Sequence, residues 1–172
     1  MTAVRRSARL SLLSLLAPGL LAGCAAMLRY TPNGVHPGDS RDDVLRVMGP
    51  PTGVYRMPDG HERLEYNHMP FGRETYMIDF DGAGRVTHWE NVLDENHFAA
   101  IVQGMDAHDV LRLIGPPSDS YFYHRPTEGI TWLYRFRTIQ RCILFEVSFE
   151  KATGKVIDGD YPPDPACPDE WR

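Results

Sequence analysis

The chain has 172 residues, 42% of them hydrophobic, with 18 basic against 23 acidic side chains and a net charge of −5. That length suits one domain able to bury a core without metal or many disulfides. The acidic balance argues against a nucleic-acid partner, because phosphate binding wants a basic patch.

The first element in chain order reads as an export signal. Arg5, Arg6 and Arg9 precede an uncharged apolar run from Leu10 to Ala22. The run is too short to span a bilayer, which takes about 20 apolar residues, and it has the layout of a signal peptide over residues 1–23. Its end, Leu21-Ala22-Gly23-Cys24, resembles a bacterial lipobox. The resemblance implies cleavage before Cys24 and acylation of that cysteine, with Ala25 after it similar to lipoproteins sorted to the outer membrane. An ordinary export signal with an incidental cysteine is the alternative. Loss of the three arginines would move the net charge from −5 to −8. The mature chain lacks a polybasic surface, so its membrane contact would be the acyl chains.

Residues 24–37 read as a lipidated N-terminus and linker. The segment from Gly38 to Pro51 then matches the segment from Gly104 to Pro117 at a constant offset of 66. The correspondence continues through Tyr66 and Tyr134, Phe80 and Phe149, and Val86 and Val156, drifting only between elements, where loops tolerate insertion. A first repeat over 38–93 and a second over 94–160 follow.

In each repeat a helix is expected first, at about 41–48 and 107–114. Ser40 and Asp106 stand at the N-cap with Asp43 and Asp109 three residues on, the capping-box arrangement. Val44, Leu45 and Met48 form one apolar face, as do Val110, Leu111 and Ile114. Gly49 and Gly115 supply the C′ position, and the Pro-Pro pairs cannot continue a helix. An additional helix over 95–102, capped by Asp94, would bury Phe98, Ile101 and Val102.

Strands follow by their period of two at 61–68, 73–80 and 85–92, and again at 130–137, 142–149 and about 155–158. The expected fold class is α+β: two tandem repeats, each one or two short helices packed on a three-stranded antiparallel sheet. The repeats can share an interface or join edges into one longer sheet. Each sheet has one apolar face. The other carries Arg63, Glu65, Asp79, Arg135, Arg137, Glu146 and Ser148, with Met77 and Leu144 among them. Alternating polar positions on antiparallel strands suit a solvated face; a partner-binding face is the alternative. Residues 161–172 form a proline-rich tail with Trp171 near its end, barred from helix and inner strand.

The search for chemistry returns little. No Gly-x-Ser-x-Gly elbow or His-Glu-x-x-His pair is present, and the seven histidines show no metal-ligand spacing. Asp79 and Asp81 share a strand face, but no third group completes an acid/base site. No cofactor, metal site or enzymatic activity is expected. If Cys24 carries lipid, Cys142 and Cys167 remain as a candidate disulfide in an oxidising compartment. Two unlinked thiols are the alternative, since spacing does not show whether their Cα atoms come within reach.

The lipobox, the Gly-x-x-x-x-x-Val-x-x-x-x-Gly-x-Pro segment, an aromatic strand and Phe-Asp-x-x-Gly-x-Val together resemble the SmpA/OmlA (BamE-like) family of outer-membrane lipoproteins. The matching residues are Gly38, Val44, Gly49, Pro51, Tyr66, Phe80, Asp81, Gly84 and Val86, then Gly104, Val110, Gly115, Pro117, Trp132, Tyr134, Phe149, Gly154 and Val156. The resemblance implies a non-catalytic lipoprotein tethered to the outer membrane and facing the periplasm. Its partner would be an envelope protein such as the β-barrel assembly machinery. The tandem duplication departs from the single copy of the best-known member. It is similar to the architecture of β-lactamase inhibitor proteins, which implies as alternative a tethered module that captures an exported enzyme.

Overall fold

The computed structural model describes residues 31–124, 128–137 and 143–167. The signal segment, Cys24, Cys142 and Trp171 lie outside the described residues. The chain folds as α+β in two similar units of helix and sheet. The first has α1 (Arg41–Met48) followed by β1 (Gly53–Arg56), β2 (Glu62–Asn67), β3 (Thr75–Phe80) and β4 (Val86–Asn91). The second has α2 (Glu95–Ala99), α3 (Ala107–Ile114), β5 (Asp119–Tyr123), β6 (Gly129–Arg135), β7 (Leu144–Glu150) and β8 (Val156–Asp160). Each sheet is an antiparallel meander of four strands, not three, in the orders β1-β2-β3-β4 and β5-β6-β7-β8.

The additional strands β1 and β5 are edges. Neither has a buried residue, so neither shows the apolar alternation that marks a half-buried strand. Pairing with β2 and β6 is what holds them.

The duplication repeats down to single hydrogen bonds. The Tyr66 hydroxyl donates to the Gly49 carbonyl at 3.0 Å, and Tyr134 donates to Gly115 at 3.1 Å. Both tyrosines thereby hold a carbonyl at a helix C-terminus that the helix itself leaves unpaired. The Thr52 hydroxyl accepts from the Asn67 amide at 3.0 Å, as Ser118 does from Arg135 at 2.9 Å. Register shifts fall at Asp79/Phe80 and at Ser148/Phe149, the same place in each sheet.

The helix ends differ. Around α1 the capping box is complete, and the Ser40 and Arg46 hydrogen bonds hold the Asp43 carboxyl down to about 2. Asp106 makes no side-chain cap; its carboxylate pairs with Lys155 at 3.2 Å instead. The helix expected over 95–102 ends at Ala99, and Val102 is exposed, not buried. A turn closed by Met105 N–H donating to Val102 C=O redirects the chain there.

Two cores result. One lies between α1 and the inner face of the first sheet, built on Val44, Met48, Leu64, Ile78, Phe80 and Val86, with Val35 from the segment before Gly38. The second lies between α2, α3 and the inner face of the second sheet. Phe98 stacks on Phe145 at 4.3 Å and meets Phe136 edge-on at 5.0 Å. Met77, Val92 and Leu93 of the first unit belong to this second core. The layers therefore run helix, sheet, helices, sheet, head to tail. The units stack and do not join edges into one broad sheet.

Gly115 sits in that stack. Its φ is +77°, and a Cβ there would lie 3.0 Å from Thr75 Cγ2 and 3.2 Å from Glu65 Oε2. Gly49, its counterpart at φ +81°, faces open space. Both positions resist a side chain through their backbone, at about 1–3 kcal/mol each, but only Gly115→Ala also forces the units apart. Denaturant titration should show Gly115→Ala costing at least about 1 kcal/mol more than Gly49→Ala. Equal losses would mean that the stack is not close-packed at this point.

Candidate functional site

The six residues of the candidate partner-binding face separate into two groups. The outer face of the first sheet is not solvated: Glu65 is 1% exposed and Met77 fully buried. Its partner is the second unit of the same chain. The sequence-level expectation of a polar face in water thus fails for the first sheet, because α3 and the turn after it lie on top of it.

Arg63 grips Asp79 through two hydrogen bonds of 2.6 and 2.7 Å and donates a third to the Arg112 carbonyl at 3.0 Å. Arg112 is in the last turn of α3, so a cation meets the negative end of that helix. Glu65 accepts from the Tyr55 hydroxyl at 2.5 Å, from Thr52 Oγ1 at 2.7 Å and from Asn67 Nδ2. A buried carboxylate is costly unless hydrogen-bonded, and here neutral donors from three places in the first unit meet it.

The tail and a loop engage two more. Arg135 pairs with Asp164 at 3.4 Å, and Arg73 approaches the same carboxylate at 3.9 Å. Arg137 pairs with Glu74 at 3.1 Å. These contacts tie the β2–β3 loop, β6 and the tail together. Asp164 is 1% exposed, Leu144 is 3% exposed, and Cys167 is buried and disulfide-bonded, its partner lying outside the described residues. The tail through residue 167 is therefore held against the sheet, with the Leu144 N–H donating to the Pro162 carbonyl.

Glu146 is half-buried and has no basic partner among the described residues. In the second sheet it stands opposite Leu133 on β6 and Asp160 on β8, with Asp158 two residues away. Its sole hydrogen-bond donor among the described residues is the Tyr121 hydroxyl, at 3.4 Å. Burial first, then the Asp160 and Asp158 charges, raise its carboxyl above the ordinary range against that hydrogen bond. The two outer faces are variations on one plan. A tyrosine of the edge strand reaches an acid on the face, Tyr55 to Glu65 and Tyr121 to Glu146. The acid and its apolar neighbour have exchanged strands, Glu65 opposite Met77 in one and Leu133 opposite Glu146 in the other.

Among the described residues no cluster of His, Cys, Asp and Glu could hold a metal ion, and no helix is long and apolar enough to cross a membrane. Asp79 is engaged by Arg63, and Asp81 accepts hairpin-turn amides from Ala83 and Arg85 at 2.9 Å. Comparison with known proteins adds no identity: no family model matches the chain, and no curated protein matches it significantly.

The sequence signal for the covered face was Met77, a large apolar residue on an otherwise polar side. Its counterpart Glu146 marks the open one.

Two predictions follow from this geometry. Removing the hydroxyl in Tyr55→Phe leaves buried Glu65 short of a donor and should cost about 1.5–3 kcal/mol by denaturant titration. Tyr121→Phe, at a long contact on an exposed ring, should change stability by less than about 0.5 kcal/mol; equal costs would contradict the assigned burial. Among the phenols that burial raises are Tyr66, to about 12, Tyr55, further with the help of Glu65, and Tyr134, well beyond its ordinary range. A neutral phenol with a raised pKa contributes stability that is complete below the ordinary value near 10 and is lost as pH climbs through the raised one. Phenolate absorbance should therefore show these tyrosines ionising only as the protein unfolds, above pH about 10. Smooth titration of all eight tyrosines in the folded protein would refute it.

Proposed function

We propose that the chain is a non-catalytic lipoprotein of the bacterial cell envelope, anchored by lipid on Cys24 in the outer membrane and facing the periplasm. It acts there as an accessory or scaffold protein related to the β-barrel assembly factors of the SmpA/OmlA family. The observation that carries this reading is Leu21-Ala22-Gly23-Cys24 at the end of a short apolar run behind Arg5, Arg6 and Arg9. That order of charge, apolar stretch, small residues and cysteine is what an exported, lipid-modified chain requires.

The tandem units support a binding role. Polar side chains that a catalytic site would keep available are hydrogen-bonded where the units meet, Glu65 and Asp79 within the first unit and Arg63 also across to the Arg112 carbonyl. What the stack leaves outside is surface, and surface of this kind works by shape and charge complementarity. A pairing of Cys142 with Cys167 belongs to the same proposal, since an exported chain meets an oxidising compartment.

Metabolic labelling with a palmitate analogue, with membrane fractionation, tests the anchor. Wild-type protein should carry label and sediment with outer membranes, and Cys24→Ala should lose the label and stay in the soluble periplasmic fraction. Continued membrane attachment of the unlabelled variant would remove the basis of the reading. Crosslinking and pull-down from detergent-solubilised envelopes identifies the role: recovery of the barrel-assembly complex supports an accessory protein. A single soluble exported enzyme as sole partner would instead make it a tethered inhibitor.

A further inference from the structure

Head-to-tail stacking leaves the outer face of the second sheet, crossed at one end by the tail, without a helix on it among the described residues. The outer face of the first sheet is covered by polypeptide: α3 and the Gly115 turn lie on it, and Arg63 joins Asp79 below to the Arg112 carbonyl above. Among the described residues no helix lies on the same face of the second sheet, where Thr131 is buried by its neighbours, Glu146 and Ser148 are half-buried, and Asp158 and Asp160 are exposed. The positions opposite one another that hold Arg63 and Asp79 in the first sheet hold Thr131 and Ser148 in the second, their hydroxyls 2.7 Å apart. The second face has therefore lost that guanidinium and its carboxylate together, and its acids stand at other positions. Glu146, Asp158 and Asp160 stand together on it. The basic side chains nearest in the pattern, Arg135 and Arg137, are committed to Asp164 and Glu74. Tyr121, 46% exposed, lies along the same patch with its hydroxyl towards Glu146.

We propose that this face docks a basic segment of a partner protein, with an arginine side chain lying against the Tyr121 ring and pairing with Glu146 and Asp160. The proposal rests on the reading of the chain as a binding protein and names the surface and the chemistry of what it binds. Arginine fits better than lysine, because a planar guanidinium stacks on an aromatic ring and presents a fork to a carboxylate. An anionic lipid or nucleic-acid surface is excluded by the sign of the charge. A second copy of this chain fits poorly: the end it would offer is α1, whose first turn carries Asp42 and Asp43.

The test is a titration of the full mature chain in detergent with fluorescently labelled nona-arginine, nona-lysine and nona-glutamate peptides, at about 0.1 M ionic strength so that distant charges are screened. Binding of nona-arginine should perturb amide resonances of Tyr121, Thr131, Glu146 and Ser148, and nona-glutamate should not bind. Glu146→Gln combined with Asp160→Asn should weaken nona-arginine about tenfold or more. Asp42→Asn combined with Asp59→Asn, exposed acids of the first unit, should change it by less than about twofold. Nona-lysine should bind about threefold more weakly than nona-arginine, and Tyr121→Leu should erase that difference. Equal weakening by the two double variants, or resonance changes spread over both units, would overturn the proposal by showing general charge attraction. Self-association of the free chain that Glu146→Gln abolishes would also overturn it, placing a second copy on the face. Lipid on Cys24 takes no part in this titration. A Cys24→Ala chain that binds the peptide like wild type separates the fate of this face from that of the anchor.

Discussion

A carboxylate buried between two copies of the same fold is the constraint around which this molecule is arranged. Glu65 is removed from water, and its stability there depends on Tyr55, Thr52 and Asn67 meeting it at hydrogen-bonding distance. Two glycines allow the close approach: a Cβ at Gly53 would lie 3.0 Å from its Oε2 and one at Gly115 3.2 Å. Beside it, Arg63 spends its charge on Asp79 and on the end of α3. These contacts fix orientation as well as energy. A purely apolar seam would let α3 slide on the first sheet, whereas a carbonyl caught by a guanidinium has one position.

The seam also explains why the units need each other. A four-stranded sheet with one helix buries one face; the other face of the first sheet must find cover or be polar. Here it is both. Met77 enters the core of the second unit, and full burial of such a side chain is worth about 1.5–3 kcal/mol. Arg63, Asp79 and Glu65 around it are paired off in place. The same strand position in the second sheet, with no neighbour beyond it, carries Glu146.

Much of the architecture was legible in the sequence, for reasons that are local. The N-cap residues Ser40 and Asp106 and the C′ glycines bound α1 and α3 to the residue. The alternation of Leu64 with Tyr66, and of Phe145 with Val147 and Phe149, marked inner strands because each buried one face. Strands β1 and β5 were not legible, since their order comes from pairing with a neighbour and not from burial of their own side chains. Nor was the seam. Arg63, Glu65 and Asp79 look like a solvated face in a linear pattern, and their mutual satisfaction depends on two segments 49 residues apart, as in the Arg63 bond to Arg112. The hold on the tail has a similar non-local origin: its prolines forbid regular structure, and Asp164 pairing with Arg135 and the disulfide at Cys167 bind it.

Head-to-tail stacking is open-ended, and an open-ended array must stop somewhere. Terminal units of stacked repeats do this with a polar outer face. Glu146 in place of Met77, Thr131 in place of Arg63 and the flanking Asp158 and Asp160 meet that need by making the last face acidic and unable to accept a further apolar helix. Solubility alone, however, would be met as well by interspersed charges of both signs, which hold each other at little cost. The acids Glu146, Asp158 and Asp160 instead stand together, and the arrangement works against itself: burial first, and then the neighbouring acids, push the Glu146 carboxyl towards its neutral form. The Tyr121 hydroxyl offsets part of that cost, and a cation from outside would offset more. The feature that ends the stack is thus also the one on which the proposed basic partner would dock.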